Sequence, residues 1–208
     1  MTSPDRSNPP QQQFAERSYR SPAALAGGAL LLLLGLWLGA DAVLRGTVHT
    51  KLTAVFVLLL GVPLVVAFTL RPLVRAGADR LTVRNPFRTI TLPWSAVEEL
   101  RATFSAEVLT DGGKYQLWAI PVSLRQRKKA ARQPARGAGA ARPRFGLQAD
   151  AGPVPRAMAD QTLEELREIK ERAAHRESAR GEPEVRWAYE VIAPSVAGAV
   201  GLAVLLAL

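Results

Sequence analysis

Cysteine is absent from all 208 residues, which excludes disulfides, a thiolate nucleophile and any cysteine-ligated zinc or iron–sulfur cluster. Histidine is almost absent too: His49 falls in a short loop between apolar runs and His175 at the end of a helical stretch, too far apart in topology to share a metal. The chain also lacks a phosphate-cradling glycine loop, an HExxH pair and a Ser/His/Asp set. Gly112-Gly113 reads as a turn. Lysine is scarce, with only Lys51, Lys114, Lys128, Lys129 and Lys170 among many arginines, and alanine is abundant, the composition expected of a GC-rich bacterial genome. What lies outside the apolar runs is near the lower size limit for an independently folding domain. An enzyme is therefore not expected, nor a cofactor or a resident metal.

What the chain does have is three long apolar runs. Residues 22–40 and 52–70 each hold 19 residues without a charge, and at about 1.5 Å of rise per residue each run matches a hydrocarbon core of roughly 30 Å. The second contains Gly61 and Pro63, which predict a kink. The third, 191–208, is preceded by Trp187 and Tyr189 as interfacial anchors, and Pro194 is placed in its first turn. A cleaved signal peptide is the alternative for the first run, since Ala40-Asp41-Ala42 loosely matches a cleavage site. The run is too long and starts too late for that, and it leads straight into a second span. Asp41 and Glu190 border the spans, where anchoring explains them better than a proton relay, and the lack of intramembrane charge argues against transport.

Arg45 and Lys51 are the only cations between the first two runs, whereas Arg6, Arg17 and Arg20 precede them and Arg71, Arg75, Arg80, Arg84 and Arg88 follow. The positive-inside rule then puts the N-terminus and the polar middle in the cytoplasm and the C-terminus outside a multi-pass cell membrane protein. Gly35 and Gly39 form a GxxxG through which a homo-oligomer could pack, and Ala193, Ala197 and Gly201 line one face of the third run. Small residues are also simply common in alanine-rich spans.

Residues 79–122 alternate in the manner of strands. Leu81 and Val83 share a face, Asn85-Pro86 is a turn, and Phe87 is out of phase with Ile90 and Leu92, which suggests a bulge. Pro93 closes that strand, 97–104 reads as strand or a single helical turn, and Asp111-Gly112-Gly113 marks a hairpin before a strand over 114–122. In that strand Tyr115, Leu117 and Ala119 oppose Gln116, Trp118 and Ile120. Trp94 and Trp118 are expected in the core rather than facing a ligand. Further on, Thr162 and Glu165 have capping-box spacing, and Leu163, Leu166, Ile169 and Ala173 line one helical face.

The stretch GADRLTVRNPFRTITLPWSAVEEL followed by DGGKYQLWAIPV, about 77–122, with its Pro93-Trp94-Ser95 and two preceding spans, resembles the bacterial pleckstrin-homology-like (PH-like) domain of actinobacterial membrane proteins named after low molecular weight protein antigen 6. The resemblance implies a half-barrel of antiparallel strands closed by a C-terminal helix and attached to the inner membrane, a binding or scaffold module without catalytic residues to carry over. The expected architecture is membrane α plus a small antiparallel β domain. It comprises a tail without fixed structure over 1–20, a transmembrane hairpin over 21–71, a PH-like partial β-barrel over 72–124, a basic disordered insert over 125–159, a closing helix over 160–178 and a third transmembrane helix over 187–208.

Most of the net charge of +9 sits in that insert, where Arg125, Arg127, Lys128, Lys129, Arg132, Arg136, Arg142 and Arg144 occur with no acidic residue among them. Two readings stay open: a solvated linker obeying the positive-inside rule, or a clamp for anionic inner-leaflet lipid, each cation adding about 1 kcal/mol. Non-specific nucleic-acid binding is a weaker form of the second, since no aromatic residue interleaves the cluster before Phe145. The expected function is a membrane-anchored, non-catalytic interaction or scaffold protein. Its partner is another membrane or envelope protein, docking on an exposed strand edge or in the groove between barrel and helix.

Overall fold

The computed structural model of the protein describes residues 16–122, 158–173 and 175–207. Helix α1 spans Pro22–Arg45, with the Ser21 hydroxyl accepting from the Ala24 amide at 3.3 Å and proline at the first helical position, where no N–H is missed. After Gly46 the Thr47 hydroxyl caps α2, which runs Val48–Val65 and widens past Pro63 into a π-helical turn, Val66–Leu70. The last helix, α4, covers Tyr189–Ala207. All three are long and apolar enough to cross a membrane. Each starts or ends beyond its expected run; Asp41, for example, lies inside α1 and pairs with Arg45 one turn on at 3.1 Å. Pro194 is the sixth residue of α4 and not in its first turn, so it deprives the Glu190 carbonyl of its usual i+4 amide.

Helix α2 lies between α1 and α4. Glycines make the close approaches: a Cβ on Gly39 would stand 2.5 Å from the Leu58 side chain, and one on Gly198 2.5 Å from the Leu60 backbone nitrogen. Gly39 is thus occupied within the chain, which leaves only Gly35 of the GxxxG facing open space. The face of α4 that packs inward is Val191, Ser195 and Gly198, whereas Ala193 and Ala197 are exposed.

Among the described residues eight strands make two antiparallel sheets. Strands β1 (Arg17–Tyr19), β2 (Leu73–Ala76), β3 (Arg80–Arg84), β4 (Arg88–Pro93) and β8 (Glu184–Trp187) are ordered β1-β2-β3-β4-β8. Strands β5 (Glu99–Ala102), β6 (Ala106–Thr110) and β7 (Gly113–Gln116) form the second sheet. Helix α3 (Met158–Ala173) packs on β5. Alternation decides the faces: Val74, Leu81, Val83, Ile90 and Leu92 point inward to meet Leu100, Val108, Leu117, Leu163 and Leu166 in one core. Trp94, fully buried on a 3₁₀ turn after Pro93, donates its indole N–H to the Gly77 carbonyl at 3.0 Å. This is the antiparallel, helix-closed PH-like architecture that the sequence implied.

Several local expectations are corrected. Phe87 belongs to the β3–β4 turn and makes no bulge; it leaves the ladder to pack edge-on against Phe68, ring centroids 5.3 Å apart. Strand β7 stops at Gln116, and a turn with Ile120 N–H on Leu117 O buries Leu117, Ala119 and Ile120 while leaving Trp118 45% exposed, so Trp118 is not a core residue. Helix α3 begins at Met158, which places Thr162 and Glu165 inside it and removes the capping box. The segment before α1 is no loose tail over 17–19: it forms β1, paired with β2 through Arg17↔Ala76 and Tyr19↔Val74. The segment before α4 forms β8, an element absent from the expectation.

Candidate functional site

The domain is bolted to the helices by one arginine. Arg71 follows the π turn of α2 and is mostly buried; its guanidinium donates to Glu190 Oε1 of α4 at 2.6 Å, to Thr89 Oγ1 of β4 at 3.2 Å and to the Asn85 carbonyl at 3.3 Å. One side chain so joins the end of the second helix, the β3–β4 turn and the start of the last helix. Asn85, itself buried, donates from Nδ2 to the Gln116 carbonyl at 2.9 Å and ties the two sheets together. Ala67, Ala188 and Val191 with Phe87 form a small apolar cluster at the same junction.

The cross-strand register shows what the five-stranded sheet presents outward. Arg84, Thr89 and Arg186 lie side by side across β3, β4 and β8, and Arg75, Thr82, Thr91 and Glu184 form the next row. On this polar, mainly basic face Arg75, Arg84 and Arg186 are exposed, whereas Thr82, Thr89 and Thr91 are partly buried and Leu73, in the row of Arg84, is buried. The acids beside it are engaged: Glu16 with Arg75 at 3.3 Å, Glu184 with Arg186 at 2.6 Å and Glu190 with Arg71.

Four strands sit at sheet edges. The free side of β5 is closed by α3, where the Arg167 guanidinium donates to the Leu100 carbonyl and the Lys170 ammonium to the Glu98 carbonyl. Together with full burial of Leu163 and Leu166, this fills the groove between barrel and helix. The Gln116 carbonyl of β7 accepts from Asn85. Strand β1 is three residues long and is clamped to α3, because Arg17 Nη1 and Tyr19 Oη both donate to Glu165 Oε2, at 2.8 and 2.7 Å. Burial, then the Glu165 carboxylate, push the Tyr19 phenol up to about 12. Strand β8 differs: all four of its residues are exposed. The Ala188 amide donates to the Phe87 carbonyl, and antiparallel alternation then turns the main-chain groups of Val185 and Trp187 away from β4.

Two titratable groups elsewhere are perturbed by their neighbours. The Ser105 hydroxyl, helped by Arg101, holds the Glu107 carboxyl below its ordinary value, while hydrogen bonding to Asp111 raises that of Glu98. Among the described residues no group of His, Asp and Glu gathers as a metal site. Two apolar grooves flank α2, one of about 580 Å³ against α1 and one of about 440 Å³ against α4 that reaches Phe87 and Trp187.

The eight cations singled out from the sequence, Arg125 through Arg144, lie outside the described residues. What the structure brings together instead is Arg71, Asn85, Thr89 and Glu190, of which the sequence marks Asn85 only as part of a turn and Arg71 and Glu190 only as charges bordering the spans. For β8 the alternation of Val185 and Trp187 before the last apolar run is too short a signal to mark a strand.

Residues 71–165 match the family model described as a bacterial PH domain. No curated protein and no solved structure is significantly similar to the chain. The match takes in β2 to β7 and the first half of α3, so the two outermost strands of the larger sheet and all three long apolar helices lie outside it.

Proposed function

We propose that this chain is a membrane-anchored, non-catalytic PH-like interaction protein, of the kind the motifs within 77–122 suggest for actinobacterial membranes, and that its partner adds a strand to the free edge of β8. PH domains act as a rule as interaction modules, and the bacterial PH match supports that class for 71–165. The observation that carries the docking mode is the exposure of β8 along its whole length, while α3 closes β5 and the last carbonyl of β7 is taken by Asn85. An extended peptide gains affinity from main-chain hydrogen bonds to such an edge and specificity from alternate side chains. The partner is another membrane or envelope protein, because β8 runs directly into α4. Orientation follows the positive-inside rule, with the domain in the cytoplasm and the C-terminus outside.

Val185→Pro in the full chain removes an outward N–H at an exposed position and should abolish capture of a membrane partner from proteoliposomes while the protein stays folded. Retention of the same partner by the three helices alone would overturn the assignment. Reporter fusions after Arg45, at Gly139 and at the C-terminus should read outside, inside and outside; an external Gly139 would reverse the orientation. The alternative function, anionic-lipid binding by the eight cations of 125–144, requires that their replacement by glutamine abolish salt-sensitive binding to anionic vesicles.

A further inference from the structure

The hairpin between β5 and β6 turns at Thr103–Ser105 and presents Phe104 with 87% of its surface exposed. A single exposed phenylalanine is ordinary. Its position in the molecule is not. The other large exposed apolar side chains of the domain are Trp118, Val185 and Trp187. Trp118 packs on Phe68 in the last turn of α2, ring centroids 5.6 Å apart, and Trp187 stands two residues before α4. The register carries Phe104 to the same end. The Leu117 amide donates to the Ala106 carbonyl, so the β5–β6 tip and the chain that leaves β7 toward Trp118 lie at the same end of the three-stranded sheet.

Charge is distributed to match. From Ala102 to Ala106 the tip is Ala-Thr-Phe-Ser-Ala, without an ionisable group, and it is bounded by the Arg101–Glu107 ion pair at 3.3 Å. The opposite end of the same sheet, at Asp111-Gly112, carries Glu98, Asp111, Lys114 and the neighbouring Lys170. An uncharged, aromatic tip at the end of the sheet where Trp118 meets the last turn of α2, with an ion pair set back from it, is the pattern of a segment resting in the headgroup region.

We infer that the β5–β6 hairpin tip is a membrane-contact site, with Phe104 inserted into the bilayer interface beside the end of α2 and Trp118 and Trp187 completing the rim. The partner is the lipid surface itself, and the inference rests on the reading of the three helices as spans. Its consequence is that the domain is pinned against the bilayer at a further point besides its junctions with α1, α2 and α4, which fixes how far β8 stands from the membrane.

The cysteine-free chain allows a direct test with environment-sensitive fluorophores on single cysteines introduced by Thr103→Cys, Gly112→Cys and Leu33→Cys, in the full-length protein in vesicles of phosphatidylethanolamine and phosphatidylglycerol. The expected result is that positions 33 and 103 are quenched by spin-labelled lipid and shielded from aqueous iodide, with position 112 the reverse. Adding Phe104→Asp should return position 103 to iodide. Iodide quenching at 103 equal to that at 112, with 33 still lipid-quenched, overturns the tip site and leaves the spans intact. Iodide access at 33 overturns the membrane reading and the inference with it. Lipid quenching at 103 that survives Phe104→Asp removes Phe104 as the anchor.

Discussion

Glu165 offers a sharp test of how the domain is closed. By its spacing from Thr162 it looks like the acidic half of a capping box, in which case its removal would cost only the fraying of one helix end. In the structure it sits inside α3 and receives Arg17 and Tyr19 of β1, 148 and 146 residues away in sequence. A hydrogen bond from a neutral donor to a charged acceptor contributes about 1.5–3 kcal/mol. Glu165 is 44% exposed, so the lower end, about 1.5 kcal/mol, applies to Tyr19, and nothing is added for the solvent-exposed Arg17 pair. Strand β1 is held otherwise by its short ladder with β2, the exposed Glu16–Arg75 pair and the packing of the Tyr19 ring on the core. Glu165→Ala should therefore open β1 locally and speed amide exchange over residues 17–19 about tenfold, with little change over β3 and β4. In the Tyr19→Phe background the same substitution should add much less, since the two changes remove one interaction. The reasoning is refuted if exchange rises instead at the start of α3 while β1 stays protected, or if the two effects add.

Three further outcomes are expected. Tyr19 ionises with a value of about 12, above its unfolded 10.0, so the stability it contributes is fully present below pH 10 and is lost as pH rises through about 12; Tyr19→Phe should flatten that alkaline limb in a thermal scan against pH. Trp94→Phe removes the indole donor from a fully buried site and leaves the Gly77 carbonyl unpaired, which should cost about 1–3 kcal/mol in a denaturation experiment in detergent. Gly198→Ala puts a methyl 2.5 Å from backbone in α2 and should lower thermal stability by an amount equivalent to about 1–3 kcal/mol, whereas Gly35→Ala, with no atom within 4 Å, should leave it unchanged; equal effects would contradict the observed helix packing.

The parts of this architecture legible in the sequence are those in which pattern and environment coincide locally. Nineteen uncharged residues in a row can hardly be anything but a long apolar helix, and Leu81, Val83, Ile90 and Leu92 announce an inward face by alternation alone. Misreadings fell where a distant partner decides. Trp118 alternates like a strand residue, yet Phe68 at the end of α2 offers it a surface outside the barrel. Thr162 and Glu165 have capping spacing, but the helix starts a turn earlier because Ala159 extends the buried face of Leu163 and Leu166. Arg17–Tyr19 and Glu184–Trp187 are too short to declare themselves as strands, and they form only because β2 and β4 present open ladders to them.

The amino-acid sequence alone determined the three apolar helices, the antiparallel character of the middle and the inward set of its side chains, because periodicity and hydrophobic burial act over a few residues at a time. The tertiary structure alone decided that the segments flanking the helices become the outer strands of the sheet. It also decided that Arg71 locks domain to helices, and that Trp118 leaves the barrel to pack on Phe68 at the end of α2. Those features depend on hydrogen bonds and contacts between residues far apart in the chain, for which no local pattern exists until the fold has brought them together.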